Sequence, residues 1–168
     1  MNRVRRPLET IGWREWAALP DLGITAVNVK VDTGARSSAL HAWGVRRFVR
    51  DGERWVRFQV HPVQGDDDTI VECEAPLAGM KWVRSSSGKL TFRPIVHTTL
   101  LMGRHRYSIH LSLVRRDVMG FRMLLGRQAL RGRFLVSSGR SFLQSARQPS
   151  AGADHEPPEP APVSEVQP

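Results

Sequence analysis

Val27-Asn28-Val29-Lys30-Val31-Asp32-Thr33-Gly34-Ala35 is the stretch that decides the fold. Three valines alternate with Asn28 and Lys30, the period-2 pattern of a half-buried strand. The strand runs straight into Asp32-Thr33-Gly34, which places a carboxylate on a tight turn at the strand's exit. Gly34 carries no Cβ, so another backbone can come close. The Thr33 hydroxyl can donate and accept hydrogen bonds and so stiffen the turn.

Outward from this turn the chain reads as short strands. Asp51-Gly52 splits Arg47–Val60 as a two-residue hairpin signal, with Val56, Phe58 and Val60 alternating against Arg57 and Gln59. Ile70–Glu74 follows the loop Gly65-Asp66-Asp67-Asp68, with Val71 and Cys73 opposite Glu72 and Glu74. Lys81–Arg84 and Leu90–Thr99 flank the flexible tip Ser85-Ser86-Ser87-Gly88. Met102-Gly103-Arg104 reads as a further turn, and Tyr107, Ile109, Leu111 and Leu113 alternate with Ser108, His110 and Ser112. Many short strands separated by turn signals predict an all-β barrel or sandwich. Helix is expected only over Arg36–Ala42 and Gln128–Arg131.

The length of 168 residues suits one domain with a real core, expected over 8–143. No apolar run approaches the ~20 residues of a membrane helix. Met1–Pro7 is basic, but Glu9, Arg14 and Glu15 interrupt any apolar leader core. A lone cysteine, Cys73, adds to the expectation of a reducing, cytoplasmic setting. The last 21 residues, Gln148–Pro168, hold six prolines, four acids and no Lys or Arg, and are expected to be disordered. Net charge is +9, and the body before that tail carries 25 basic against 12 acidic residues, a net +13. Such a surface favours polyanionic partners.

Several chemistries lack their residues. No G-x-x-x-x-G-K-[ST] phosphate loop, Gly-x-Ser-x-Gly elbow or H-E-x-x-H pair is present. The six histidines are scattered, so no metal site is expected, and His41 is read as a helix residue held by hydrogen bonds. Cys73 lies between Glu72 and Glu74, which raise a thiol's pKa, so it reads as a small core residue. Asp66-Asp67-Asp68 lacks the spaced ligands of a calcium loop and reads as a solvated turn. Met123-Leu124-Leu125-Gly126-Arg127 reads as a short buried strand feeding a tight turn.

Taken in order, Val29–Ala35, the Ser85–Gly88 hairpin and Met123–Arg127 resemble the retropepsin-like aspartic proteases. The closer resemblance is to a bacterial branch labelled putative ATP-dependent zinc proteases. It rests on Gly12-Trp13-Arg14-Glu15-Trp16, on Lys30–Ala42 and on Arg116–Arg127, and spans about Leu8–Phe142. Members of this branch resemble partners of ATP-grasp ligases that add glutamates to ribosomal protein tails. The resemblance implies a peptidase that trims such tails, and the missing phosphate loop and scattered histidines lead to the expectation that this chain holds neither ATP nor zinc.

It also implies site residues. Two aspartates a few Å apart share one proton, one acting as general base on water while the other polarises the carbonyl. This chain supplies one Asp-Thr-Gly, so a homodimer would complete the pair. Asp32, Thr33 and Gly34 are the expected catalytic residues. Ala35, Arg36, Ser85, Ser86, Ser87, Gly88, Gly126 and Arg127 are the expected substrate-binding residues, with Ser85–Gly88 as a flap. Arg36 stands where retropepsins usually carry an acid or amide, and Gln128 replaces an acid after Gly126-Arg127. Both changes make the cleft more positive and suit an acidic peptide. Two other classes remain open: a non-hydrolysing adaptor docking on a ribosome or ligase through its basic face, and a basic RNA-binding domain. The scarcity of aromatic stacking motifs argues against RNA.

Overall fold

The protein is described from a computed structural model covering residues 7–115 and 120–145. The tail expected over 148–168, and residues 116–119 of the third resembling stretch, lie outside the described residues.

The Val27–Val31 alternation forms as expected. Strand β3 (Ile24–Val31) buries Val27, Val29 and Val31 and exposes Lys30. It pairs antiparallel with β2 (Arg14–Leu19) on one side and parallel with β10 (Met123–Leu125) on the other. The late apolar strand therefore lies directly beside the one that delivers Asp32. Beyond β10 come β4 (Ser38–His41), β9 (His105–Val114) and β8 (Leu90–Met102). The ring closes where Ala18 of β2 pairs with Leu101 of β8, giving a six-stranded barrel. Closure leaves no free sheet edge around the ring. Its interior is filled by Leu19, Val29, Leu40, Leu100, Leu111, Met123 and Leu125, all essentially inaccessible.

A second layer extends the barrel. β7 (Val71–Arg84) pairs with β8, then with β6 (Glu53–Val60), which pairs with β5 (Trp43–Arg50). Val56, Phe58, Val60, Cys73 and Ala75 carry the core into this layer. The hairpin between β5 and β6 turns at Asp51-Gly52, both at positive φ (51° and 79°), as a primed two-residue turn requires. β1 (Glu9–Gly12) and β11 (Phe134–Ser137) form a separate parallel pair, and the one α-helix described, α1 (Arg127–Leu130), spans four residues.

The helix expected over Arg36–Ala42 is not there. Residues 38–41 form β4, a central strand bonded to β10 and β9 and buried at all four positions. Burial on both faces erases the period-2 signal, and two ladders of hydrogen bonds outweigh the local helix preference of Ala and Leu. His41 is accordingly a buried strand residue, its ring stacked on Trp43 at 3.9 Å. The segments Ile70–Glu74 and Lys81–Arg84 also join, into one 14-residue strand. Pro76 and Gly79 do not end it. Pro76 makes the last pairing with β6, Leu77 already pairs with Val96 of β8, and the ladder with β8 is then irregular between Leu77 and Gly79.

Glu15 explains why Gly12–Trp16 is so particular. Its carboxylate is fully buried, and Oε1 accepts the amides of Gly12 and Leu143, each at 2.8 Å. The Gln144 amide and the Ser145 hydroxyl add longer bonds at 3.3 Å. A Cβ on Gly12 would sit 2.6 Å from the Arg140 carbonyl oxygen. One acid thus fastens the start of the barrel to residues 143–145, and its bonds offset the cost of burying it. Glu15→Gln turns a carboxamide NH2 toward groups that themselves donate and should lower stability by about 2–3 kcal/mol. Urea denaturation checks this, and loss of under about 0.5 kcal/mol, the range of neutral surface changes, contradicts it.

Candidate functional site

The turn after β3 is built around Asp32. Its amide donates to the carbonyl of Leu125 at 2.9 Å, which extends the β3–β10 pairing into the turn. Its Oδ1 accepts the amides of Gly34 at 3.0 Å and Ala35 at 3.1 Å. These bonds fix the carboxylate plane and leave Oδ2 as the oxygen to meet a water or substrate. Asp32 is half-buried, whereas Thr33 and Gly34 are exposed.

The turn is held from beneath by the residues after β10. The Arg127 guanidinium donates to the carbonyls of Thr33 and Gly34, both at 3.0 Å. The amides of Arg127 and Gln128 donate to the carbonyls of Ala35 and Arg36 at 2.9 and 3.0 Å. The Gly126 amide donates to the Ser38 hydroxyl at 3.1 Å. A Cβ on Gly126 would lie 2.5 Å from the Ser37 carbonyl oxygen, so the glycine is sterically required. Gly126 and Arg127 therefore do not line the cleft; they position the turn that does.

Above Asp32 lies a cleft of about 860 Å³. Asp32, Gly34, Ala35 and Arg36 form one wall, and Lys81–Ser86 of the β7–β8 hairpin form the other. The hairpin tip is well knit. The Gly88 amide bonds the Ser85 carbonyl at 2.9 Å, the Lys89 amide bonds the Ser85 hydroxyl at 3.1 Å, and Gly88 takes φ 82°. Ser85 and Ser86 reach the cleft; Ser87 and Gly88 form the outer end of the tip.

The cleft also gathers residues that sequence reasoning did not single out. Ser112 lies on the face of its strand that alternates with Leu111 and Leu113. It is buried, lines the cleft and donates to the Ser38 carbonyl at 3.1 Å. Arg93, Lys81 and Arg84 are lining residues too, and Gln128, already noted after Gly126-Arg127, joins them. Asp32 is the one carboxylate among the described lining residues, set among the cations Arg36, Lys81, Arg84 and Arg93. Arg36 was legible in the sequence; Lys81, Arg84 and Arg93 were not, because the register of β7 against β8 brings them together.

Elsewhere, no three His, Cys, Asp or Glu side chains among the described residues converge as a metal site would need. Cys73 is buried, and burial together with Glu72 pushes its thiol up to about 12, so it stays neutral and unreactive at ordinary pH. Among the described residues no helix is long and apolar enough to cross a membrane.

The profile of the family described as RimB-like, retropepsin-like aspartic endopeptidase RimB, matches residues 10–147. The chain belongs to this family. A crystal structure of a protein of unknown function from Legionella pneumophila shares the fold, with a TM-score of 0.69 and 25% identity over 82% of this chain and 98% of that one. Curated relatives named probable alpha-L-glutamate ligase are also similar. The protein from Shewanella halifaxensis is 41% identical over 132 residues, which is 79% of this chain and 29% of the relative. That from Parasynechococcus marenigrum is 40% identical over 148 residues, 88% of this chain and 32% of the relative. The chain thus spans about three-tenths of the length of these relatives, whose name describes much longer proteins.

Gly126→Ala drives a Cβ into the Ser37 backbone and should cost about 1–3 kcal/mol. The fall in denaturation midpoint measures it, and an unchanged midpoint would show that the contact relaxes freely.

Proposed function

We propose that this chain is an aspartic-type peptidase, active as a homodimer with one Asp32 from each copy, that trims acidic, glutamate-rich peptide tails such as those of a ribosomal protein. The observation that carries the reading is the cleft itself: a single carboxylate on a rigid turn, facing a hairpin, with four cations around it. Family membership supports the aspartic chemistry. The relatives' name, probable alpha-L-glutamate ligase, supports a link to glutamate chemistry and to a ligase as partner; the ribosome as partner follows from the resemblance alone.

The mechanism needs two carboxylates. Asp32 pairs with the partner's Asp32 across a two-fold axis, and the two share one proton because like charges so close cannot both ionise. The ionised member draws a proton from water, and the protonated member donates to the peptide carbonyl oxygen. Thr33 and Gly34, exposed in the single chain, meet their counterparts at the axis. The Ser85–Gly88 hairpin closes over the peptide and excludes water. Ala35, Arg36, Ser85 and Ser86 face the substrate, and Gly126 and Arg127 keep the turn in place.

Incubation with a glutamate-tailed ribosomal peptide, followed by mass spectrometry, tests this. The native protein should release glutamate-containing products, and Asp32→Asn should lower the rate by at least about a hundredfold. Release should weaken with salt and exceed that from a neutral peptide. Equal inactivity of both proteins, with peptide binding retained, would replace the peptidase with a non-hydrolysing adaptor. Equal cleavage of neutral peptides without salt dependence would overturn the acidic substrate.

A further inference from the structure

β5 ends the nine-stranded sheet, and β6 is its one neighbour in the strand order. From Arg46 to Arg50 it runs in unbroken register with β6, facing Arg57 back to Glu53. The side of β5 away from β6 therefore presents a row of main-chain amides and carbonyls with no strand beside it among the described residues. None of these residues lines the Asp32 cleft.

Such an edge is a template for another strand unless shortness, proline or charge blocks it. β5 has eight residues and no proline, and Val49 is 68% exposed. Its protection is charge: Arg46, Arg47 and Arg50, with no acid along the strand. Arg50 and Arg57 both pair with Glu74 at 2.5 Å. Arg46 and Arg47 are exposed and enter none of the ion pairs or hydrogen bonds among the described residues. Arg46 also faces a like charge, Arg57, on β6. These arginines repel a second copy of the same edge. The same charge attracts a strand of opposite sign.

Their spacing narrows the choice further. Arg46 and Arg47 are consecutive, so their side chains leave the sheet on opposite faces. A strand laid along β5 alternates its own side chains in the same way. Directly opposed residues bring their Cβ atoms to about 5 Å, so two successive acids meet one arginine each, one on either face. A peptide in which acids alternate with apolar residues satisfies one of the two. We propose that the free edge of β5 is a docking site for an extended peptide with consecutive acidic residues, bound as an added strand. Main-chain bonds along Arg46–Arg50 supply affinity, and Arg46 and Arg47 supply the choice of charge. The site is separate from the cleft and stands whether or not Asp32 is catalytic.

The test uses the full chain carrying Asp32→Asn, so that a peptide bound at either place stays whole. Amide hydrogen exchange along β5 is followed with three peptides of equal length. One holds consecutive glutamates, one has glutamine at each of those positions, and one is the glutamate peptide N-methylated at adjacent central residues, which blocks pairing along both of its edges. At ten times the Kd of the glutamate peptide, the outward amides of Arg46–Arg50 should exchange about tenfold more slowly, because they exchange through the free fraction. The other two peptides at that concentration should slow them by less than about twofold. Arg46→Glu combined with Arg47→Glu should abolish the slowing and leave thermal unfolding within about 2 °C, as exposed substitutions do. Unaltered exchange with the glutamate peptide, equal slowing by the glutamine peptide, or slowing retained in the double variant would overturn the site. Equal slowing by the N-methylated peptide would reduce it to attraction by charge and overturn strand addition. Slowing by a single-stranded RNA oligonucleotide and not by the peptide would assign the edge to a phosphate backbone and overturn it too. Glutamate release by the protein with Asp32 intact is read separately. Slowing at β5 without release would uphold this site and overturn the peptidase reading, and release without slowing would do the reverse.

Discussion

The seating of β10 between β3 and β4 is the constraint on which the rest depends. One main-chain bond, from the Asp32 amide to the Leu125 carbonyl, joins the strand that delivers the carboxylate to the strand that comes some ninety residues later. Gly126 lets that junction close, because only a residue without a Cβ fits against Ser37. Arg127 then grips the outside of the turn through the carbonyls of Thr33 and Gly34. These are backbone-directed contacts in a closed barrel, where every strand has two neighbours. Such a turn cannot shift without disturbing the ladder on both sides. That rigidity matters for acid–base chemistry, since a carboxylate must stay within hydrogen-bond reach of its proton donor and acceptor.

Charge is organised on the same frame. The body is strongly basic, yet at the cleft the cations are placed rather than scattered. Arg36 follows the turn, Arg84 lies near the hairpin tip, and Lys81 and Arg93 oppose one another on the β7–β8 hairpin. Away from the cleft, Arg50, Arg57, Arg104 and Arg122 each meet an acid. Glu74 takes both Arg50 and Arg57 at 2.5 Å, and hydrogen bonds from the two hold its carboxyl below the usual range. Exposed pairs of that kind contribute little to stability. Among the described residues that line the cleft, Asp32 is the one acid.

Much of this was legible in the sequence because it is local. The valines of β3, the Asp51-Gly52 hairpin, the Ser85–Gly88 tip and the apolar run before Gly126 each carry their own signal. What escaped is set by tertiary placement. β4 read as helix because a strand buried on both faces shows no alternation. β7 read as two strands because Pro76 marks a change of partner and Gly79 an irregularity in the ladder, neither of them an end. Ser112 read only as a polar position of an alternating strand, and the structure places it beside Ser38. Arg93 looked like any arginine of a basic chain, since only the register of β8 against β7 sets it opposite Lys81. Gly126 and Arg127 were recognised as part of the site, but their work is on the turn and not on the cleft wall.

The account's central claim is that one working site is shared between two copies of the chain. Mixing native protein with Asp32→Asn at fixed total concentration, after subunit exchange, tests it most directly. If each site needs an Asp32 from both copies, glutamate release falls as the square of the native fraction. Release that falls in simple proportion to the native fraction would mean that a single chain carries a complete site, and would contradict the account.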